Sequence, residues 1–187
     1  AGTKYIVGHA DAMLGVVTAN ARAAKHIDAA KEALGTCPGS EETYLGLRGL
    51  RTLDVRLQRH HASALDMAAW LKARPEVARV MHPALPGDPG HALWQRDFSG
   101  ASGLFSAVLH PVNDTKLAAF LDGLTLFGMG YSWGGFESLV IPFDPRSYRT
   151  ATMWTDPGPA LRFHIGLEAV ADLKADLDAA FARMAAA

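Results

Sequence analysis

Two polar side chains near the start of the chain, Thr3 and Lys4, stand among glycine and apolar residues with little charge around them. A lysine in surroundings of low polarity has a lowered pKa, so its neutral amine can act as a nucleophile toward an aldehyde. The hydroxyl of Thr3 beside it could bind a phosphate oxygen. The alternative is an ordinary surface lysine near a chain end, and these residues alone leave both interpretations open.

A second candidate, Arg162, lies between Leu161 and Phe163 in an apolar stretch that is typical of a strand. A guanidinium held on a strand suits bidentate binding of a carboxylate. The same position would suit an internal ion pair with an acidic residue such as Glu137. The sequence does not separate these two interpretations.

The third candidate stretch runs from Gly128 to Ser138 and carries Tyr131, Ser132 and Trp133 between glycines. Glycines let the backbone come close to a ligand while aromatic and hydroxyl side chains line a pocket. Alternatively, the glycines make only a tight turn and Trp133 fills the core.

Other catalytic chemistries find no support in the sequence. No set of His, Cys, Asp and Glu residues has metal-ligand spacing, so no metal is predicted. A Gly-x-Ser-x-Gly nucleophile elbow and a glycine-rich phosphate loop before a helix are also missing. The single cysteine, Cys37, has no obvious activating partner and is interpreted as structural.

The composition bounds the partners and the compartment. The chain has 187 residues, 49% of them hydrophobic, which is enough for a sizeable core. Its 18 basic and 19 acidic residues are not collected into blocks, so neither nucleic acid nor a membrane is expected as a partner. With one cysteine and no signal-peptide pattern, we predict a reducing cytoplasm.

The N-terminal part must position Lys4. Short β-branched runs predict two buried strands, at residues 6–7 and 15–19, before an alanine-rich helix over residues 23–34. An apolar stripe then predicts one helix from Ser40 to about Arg74. Because a helix of that length more often spans two domains than belongs to one, we predict a domain boundary near Leu50.

The C-terminal part must position Arg162 and the loop that carries Trp133. Helices and strands alternate here, which predicts an α/β layered fold. Strands are predicted at residues 77–81, 103–109, 137–143 and 161–165, an extended segment at 124–127, and helices at 91–96, 113–121 and from Val170 to Met184.

Four motifs, taken together and in order, resemble those of one enzyme family. They are Thr3-Lys4-Tyr5-x-Val7-Gly8-His9-x-Asp11, Arg48-Gly49-Leu50-Arg51-Thr52-Leu53, Tyr131-Ser132-Trp133-Gly134-Gly135-x-Glu137-Ser138 and Arg162-x-His164-Ile165-Gly166-Leu167-Glu168. The chain resembles the cysteine/methionine-metabolism group of fold-type I pyridoxal-phosphate enzymes, but only the C-terminal half of such an enzyme. The resemblance implies the end of the cofactor-binding large domain in residues 1–50 and a small α/β domain in residues 51–187.

The resemblance also implies a role for each residue near the cofactor. Lys4 would bind pyridoxal 5'-phosphate covalently, and Thr3 would contact its phosphate. Ala1 stands where many members of the family have a phosphate-binding serine, so that contact is not expected in this chain. The N-terminal half of the same enzyme and a second subunit would complete the site, within a homotetramer built from dimers.

On the substrate side, the resemblance implies that Arg162 holds the α-carboxylate with help from Ser132, and that Tyr131 and Trp133 line the substrate site. Relatives that catalyse γ-synthesis or γ-elimination usually carry leucine in place of Trp133. The resemblance therefore implies β-elimination, with L-cystathionine cleaved to homocysteine, pyruvate and ammonia. A cysteine-S-conjugate or cystine β-lyase of the same family would use the same residues, and a noncatalytic α/β interaction module is the alternative outside enzymes.

Overall fold

The computed structural model describes all 187 residues and contains helices, four strands and one short 3-10 helix. The helices are α1 (Ala21–Leu34), α2 (Ser40–Leu50), α3 (Leu53–Lys72), α4 (His91–Asp97), α5 (Asp114–Leu121) and α6 (Val170–Ala186). The strands are β1 (Val77–Met81), β2 (Leu104–Leu109), β3 (Leu139–Phe143) and β4 (Ala160–His164), and the 3-10 helix is Pro145–Ser147. The predicted α/β class is confirmed.

The four strands form one antiparallel sheet in the order β1-β2-β4-β3, so β4 is an inner strand. Leu161 and Phe163 of β4 are buried in the core, whereas Arg162 between them points to the opposite face and is half-buried. In the sheet register Arg162 lies opposite Ser106 of β2 and Ile141 of β3. The backbone that carries Arg162 is therefore held on both sides.

The core lies between this sheet and the helices packed on it. It is a cluster of 21 buried residues, to which α6 contributes Leu173, Leu177, Phe181 and Met184 at the predicted helical spacing. Burying a side chain of this size stabilises the fold by roughly 1.5–3 kcal/mol. The four strands predicted in this part of the chain are confirmed to within about two residues.

The single helix predicted from Ser40 to Arg74 is wrong, because the chain forms α2 and α3 with a break at Arg51 and Thr52. At the break the Gly49 carbonyl accepts hydrogen bonds from Thr52 N (3.1 Å), Thr52 Oγ1 (3.3 Å) and Arg56 Nη2 (2.7 Å). These donors replace the regular helical partner of that carbonyl. The domain boundary near Leu50 stays a prediction.

The two strands predicted at residues 6–7 and 15–19 are also wrong. Residues 6–7 belong to turns, one of which is closed by a 2.8 Å hydrogen bond from Gly8 N to Lys4 O. Residues 15–19 pair with no strand, and Val17 is 72% exposed rather than buried. Because β-branched residues favour a strand only where a neighbouring strand and a packed face are available, composition alone misleads here.

The extended segment predicted at residues 124–127 forms no strand because a carboxylate of α6 binds its N–H groups. Asp176 accepts hydrogen bonds from Thr125 N at 3.0 Å, Leu126 N at 2.8 Å and Phe127 N at 3.3 Å. This side chain satisfies the donors that a neighbouring strand would otherwise bind.

None of the helices combines the length and the apolar character needed to cross a membrane. Cys37 is exposed and unpaired. The cytoplasmic location stays a prediction.

Candidate active site

Lys4 reaches across the fold to the loop that carries Trp133. Its Nζ donates a hydrogen bond to Ser132 Oγ at 2.9 Å and lies 4.7 Å from the centre of the Trp133 ring. The lysine is half-buried and takes part in no ion pair. These contacts favour a lysine that serves a site over a free surface lysine.

Arg162 approaches the same loop from β4. Its Nη2 donates to Tyr131 O at 2.7 Å and to Ser132 O at 3.4 Å, and its Cζ lies 5.2 Å from the centre of the Trp133 ring. The arginine makes no ion pair, so the alternative of an internal pair with Glu137 does not hold. These contacts use only Nη2, so N–H groups of the guanidinium remain free to bind a carboxylate.

The three stretches singled out in the sequence therefore meet in space. The ring of Trp133 lies within cation–π range of both Lys4 and Arg162. Tyr131 contributes its main-chain carbonyl, whereas its side chain is among the exposed large groups at 81% exposure. The predicted substrate contact of the Tyr131 ring stays a prediction.

Gly134 lets the loop run directly against Lys4. Its φ of 85° lies in the left-handed region, and a Cβ there would sit 2.7 Å from Tyr5 N and 3.0 Å from Lys4 Cα. The Gly134 N–H donates to Nε2 of the buried His164 at 3.1 Å. The loop is therefore held between strand β4 and the turn of residues 4–8 (the Lys4 turn).

Replacing Gly134 by alanine should displace the loop and lower the midpoint of thermal unfolding of the full-length protein by several degrees. Left-handed backbone costs a non-glycine residue roughly 1–2 kcal/mol, and the clash with Lys4 adds to that. Gly35→Ala is the matched control, because Gly35 also has a positive φ of 63° but open space around it. Equal losses in the two variants would show that the contact with Lys4 carries no energy.

A carboxylate fastens the far end of the loop to the segment after β4. Glu168 accepts hydrogen bonds from Ser138 N at 2.7 Å and from Ser138 Oγ at 2.8 Å. Ser138 Oγ in turn accepts from Gly166 N at 2.8 Å. These hydrogen bonds connect the loop to the segment that follows strand β4, which carries Arg162.

Three ring side chains pack together beside the Lys4 turn. The ring centroids of Tyr5 and His60 lie 5.4 Å apart, and those of His60 and His164 lie 5.2 Å apart. Burial lowers the pKa of His164 to about 4 and also lowers the pKa of His60. Burial raises the pKa of Tyr5, whose hydroxyl accepts from Gly103 N at 3.2 Å. Near neutral pH these three rings therefore carry no charge.

Thr3 holds a neighbouring segment as well as standing beside Lys4. Its Oγ1 accepts a hydrogen bond from Leu14 N at 2.8 Å and donates a long one to Leu14 O at 3.4 Å. The strong contact uses an acceptor lone pair, so the hydroxyl hydrogen can still turn to a ligand. The predicted phosphate contact of Thr3 stays a prediction.

A cavity of about 820 Å³ is separate from this site. It lies between α3, α4 and the segment before β2, and none of the candidate site residues lines it. No group of three or more His, Cys, Asp and Glu residues is arranged to hold a metal ion.

Several residues of the site were not predicted from the sequence. Glu168 and His164 belong to the fourth motif, yet no role was assigned to them. Arg56, which contacts the Lys4 turn, gave no signal because it falls within the regular periodicity of α3. A charged residue on a helical stripe is usually solvated, and only the folded structure shows its burial.

Comparisons with known proteins show which enzymes the chain is similar to in sequence and fold. A profile of the family described as Cys/Met metabolism PLP-dependent enzymes matches residues 1–182. The cystathionine beta-lyases of Salmonella typhimurium and Escherichia coli are each 50% identical to the chain over 188 residues. A solved structure of cystathionine gamma synthase from Xanthomonas oryzae pv. oryzae in complex with cystathionine matches with a TM-score of 0.85 at 36% sequence identity.

The chain spans about half the length of these relatives. The two lyase alignments cover 98% of this chain and 48% of each lyase, and the synthase structure is covered to 49% against 99% of this chain.

Proposed function

The chain belongs to the family of Cys/Met metabolism PLP-dependent enzymes, and from that premise we propose that it is the C-terminal half of a cystathionine β-lyase. The enzyme would cleave L-cystathionine, with water, to homocysteine, pyruvate and ammonia. One observation carries the proposal: Lys4 and Arg162, neither of which forms an ion pair, both lie against the ring of Trp133.

The residues present fit the cofactor of this family, pyridoxal 5'-phosphate. The Lys4 amine has no acidic partner that would hold it as an ammonium ion, and it donates a hydrogen bond to the hydroxyl of Ser132. Lys4 would bind the aldehyde carbon, and Thr3 would contact the phosphate. When bound, the cofactor supplies an electron-withdrawing ring that stabilises negative charge at the substrate's Cα.

The side chains of this chain would then bind, orient and move protons. Arg162 would bind the α-carboxylate through the guanidinium N–H groups that its loop contacts leave free, which orients the bonds at Cα. Once the amine of the substrate has replaced Lys4 at the aldehyde carbon, the freed Nζ would take the Cα proton, and the ammonium so formed could protonate the leaving sulfur. The hydrogen bond to Ser132 Oγ orients Nζ for both transfers.

Trp133 supports β-elimination over the γ-reactions. The relatives that are 50% identical are cystathionine beta-lyases, whereas the gamma synthase structure is 36% identical. The bulky indole packs beside the amine that moves the proton, where a leucine would leave a different pocket wall.

Borohydride reduction of the full-length protein incubated with pyridoxal 5'-phosphate tests the assignment of Lys4. We expect peptide mass mapping to find a pyridoxyl adduct on Lys4 and none on the exposed Lys72. An unmodified Lys4 would favour the noncatalytic interaction module. Product analysis with L-cystathionine tests the reaction, since β-elimination releases pyruvate and homocysteine. Release of 2-oxobutyrate and cysteine would overturn the β-lyase assignment.

A cysteine-S-conjugate or cystine β-lyase is the second candidate, favoured by the kinds of groups that the site brings together. The groups that meet here would address the α-carboxylate and Cα, which L-cystathionine shares with other cysteine derivatives. Comparable kcat/KM values for L-cystathionine and an S-alkyl cysteine would favour this candidate.

We also propose that activity requires the N-terminal half of the enzyme and a second subunit, within a homotetramer. Exposed apolar side chains support this proposal, because many large apolar groups lack packing partners within this chain. They include Met13, Val17, Leu34, Tyr44 and Val55.

A further inference from the structure

A buried arginine without an acidic partner contacts the turn that carries Lys4. Arg56 is only 6% exposed and forms no ion pair. Its Nη1 donates to Tyr5 O at 2.7 Å, and its Nη2 donates to Ile6 O at 3.3 Å and to Gly49 O at 2.7 Å. Its Nε donates to Thr52 Oγ1 at 3.1 Å. One planar side chain thus joins the two peptide units after Lys4 to the α2–α3 break.

Two glycines make room for this arrangement. Gly8 has a φ of 75°, and a Cβ there would lie 2.0 Å from Arg56 Nη1. A Cβ on Gly49 would lie 2.3 Å from the carbonyl oxygens of Ile6 and Val7. The backbone is therefore shaped on both sides to let the guanidinium reach the carbonyls.

The local environment of Arg56 does not favour a cation. The residue lies in the first turn of α3, where the helix dipole disfavours positive charge. Burial lowers its pKa, and the charge has no counter-ion. An apolar side chain at this position would avoid both costs. The stability of α3 alone therefore does not explain an arginine at this position. Its Nη1 and Nη2 donate to carbonyls of the Lys4 turn.

We infer that Arg56 is a positioning residue for Lys4, an inference that rests on the proposed function. By holding the carbonyls of Tyr5 and Ile6, it fixes the backbone direction of the Lys4 turn. That direction places Lys4 Nζ on Ser132 Oγ at 2.9 Å. A shift of about 1 Å at a reacting group can lower a rate by about 10²-fold. A residue that fixes the backbone away from the substrate can therefore control turnover.

The experiment compares Arg56→Met, Arg56→Lys and the matched control Arg51→Met in the full-length protein. Arg51 lies at the same α2–α3 break, is exposed and makes no side-chain hydrogen bond. In Arg56→Met we expect kcat to fall by about 10²-fold with KM for L-cystathionine nearly unchanged. Lysine lacks the planar fork and cannot reach all three carbonyls, so Arg56→Lys should recover only part of the rate.

Hydrogen exchange of the cofactor-free protein gives a readout independent of activity. We expect the amides of Val7 and Gly8, which close the Lys4 turn, to exchange faster in both Arg56 variants than in Arg51→Met. Wild-type kcat and wild-type exchange in Arg56→Met would overturn the inference. Loss of folding in both Arg56 variants would also overturn it, because the arginine would then serve the stability of the whole domain. A wild-type protein without lyase activity would instead refute the proposed function.

Discussion

Replacing Lys4 by alanine is expected to lower kcat of the full-length enzyme for L-cystathionine by at least about 10³-fold. Under the proposed function, the change removes the amine that would bind the cofactor and take the Cα proton. General acid–base catalysis alone typically contributes about 10²–10⁴-fold. The fold should survive, because Lys4 is half-buried, outside the core cluster, and fixed mainly through its backbone.

The matched control for this variant is Lys72→Ala. Lys72 is exposed on the last turn of α3, and its Nζ contacts only Pro86 O at 3.2 Å. Steady-state pyruvate release at saturating substrate measures both variants. If Lys4→Ala kept more than about a tenth of the wild-type kcat, the catalytic role of Lys4 would be refuted.

Replacing Arg162 by alanine is expected to lower kcat/KM for L-cystathionine by about 10²-fold or more. A hydrogen-bonded charged group of this kind contributes about 1.5–3 kcal/mol per interaction, and the loss falls on both binding and orientation. The variant also loses the contacts to Tyr131 O and Ser132 O, so the loop that orients Lys4 should loosen. We therefore expect KM to rise and kcat to fall together.

Two further variants separate these effects of Arg162. Arg162→Lys keeps the charge but loses the planar fork, so it should fall between wild type and Arg162→Ala. Arg146→Ala is the matched control, because Arg146 is exposed and pairs only with its near neighbour Asp144. Unchanged kinetics in Arg162→Ala would remove its role in carboxylate binding.

The C-terminal part of the fold could be predicted because its patterns are local and strong. The stripe Leu173, Leu177 and Phe181 has helical spacing and nothing competes with it, and β4 is a clean apolar run around Arg162. The strands predicted at residues 6–7 and 15–19 failed for the opposite reason. Their β-branched residues have no neighbouring strand in this chain, and a strand needs one.

The candidate site was predicted only as far as chemistry-bearing residue types could show it. Lys4, Trp133 and Arg162 each stood out, but only the resemblance to a family implied that they meet, because no local pattern contains the contacts between them. Arg56 and Asp176 were missed because their partners are backbone groups far away in sequence. A backbone carbonyl or N–H carries no residue identity, so the sequence does not mark where such a side chain will bind.

The distance in sequence between Lys4 and Ser132 also bears on how the protein folds. The contact between them joins residues 128 positions apart. Closing so long a loop costs entropy, and chains rich in such distant contacts fold slowly. The site therefore exists only in the folded protein, where both segments are in place. A ligand that contacts both groups binds only the folded protein. At a concentration of a hundred times its Kd it would stabilise the folded state by about 2.7 kcal/mol. Cofactor supply would then govern how long the newly made chain survives proteolysis, in addition to its activity.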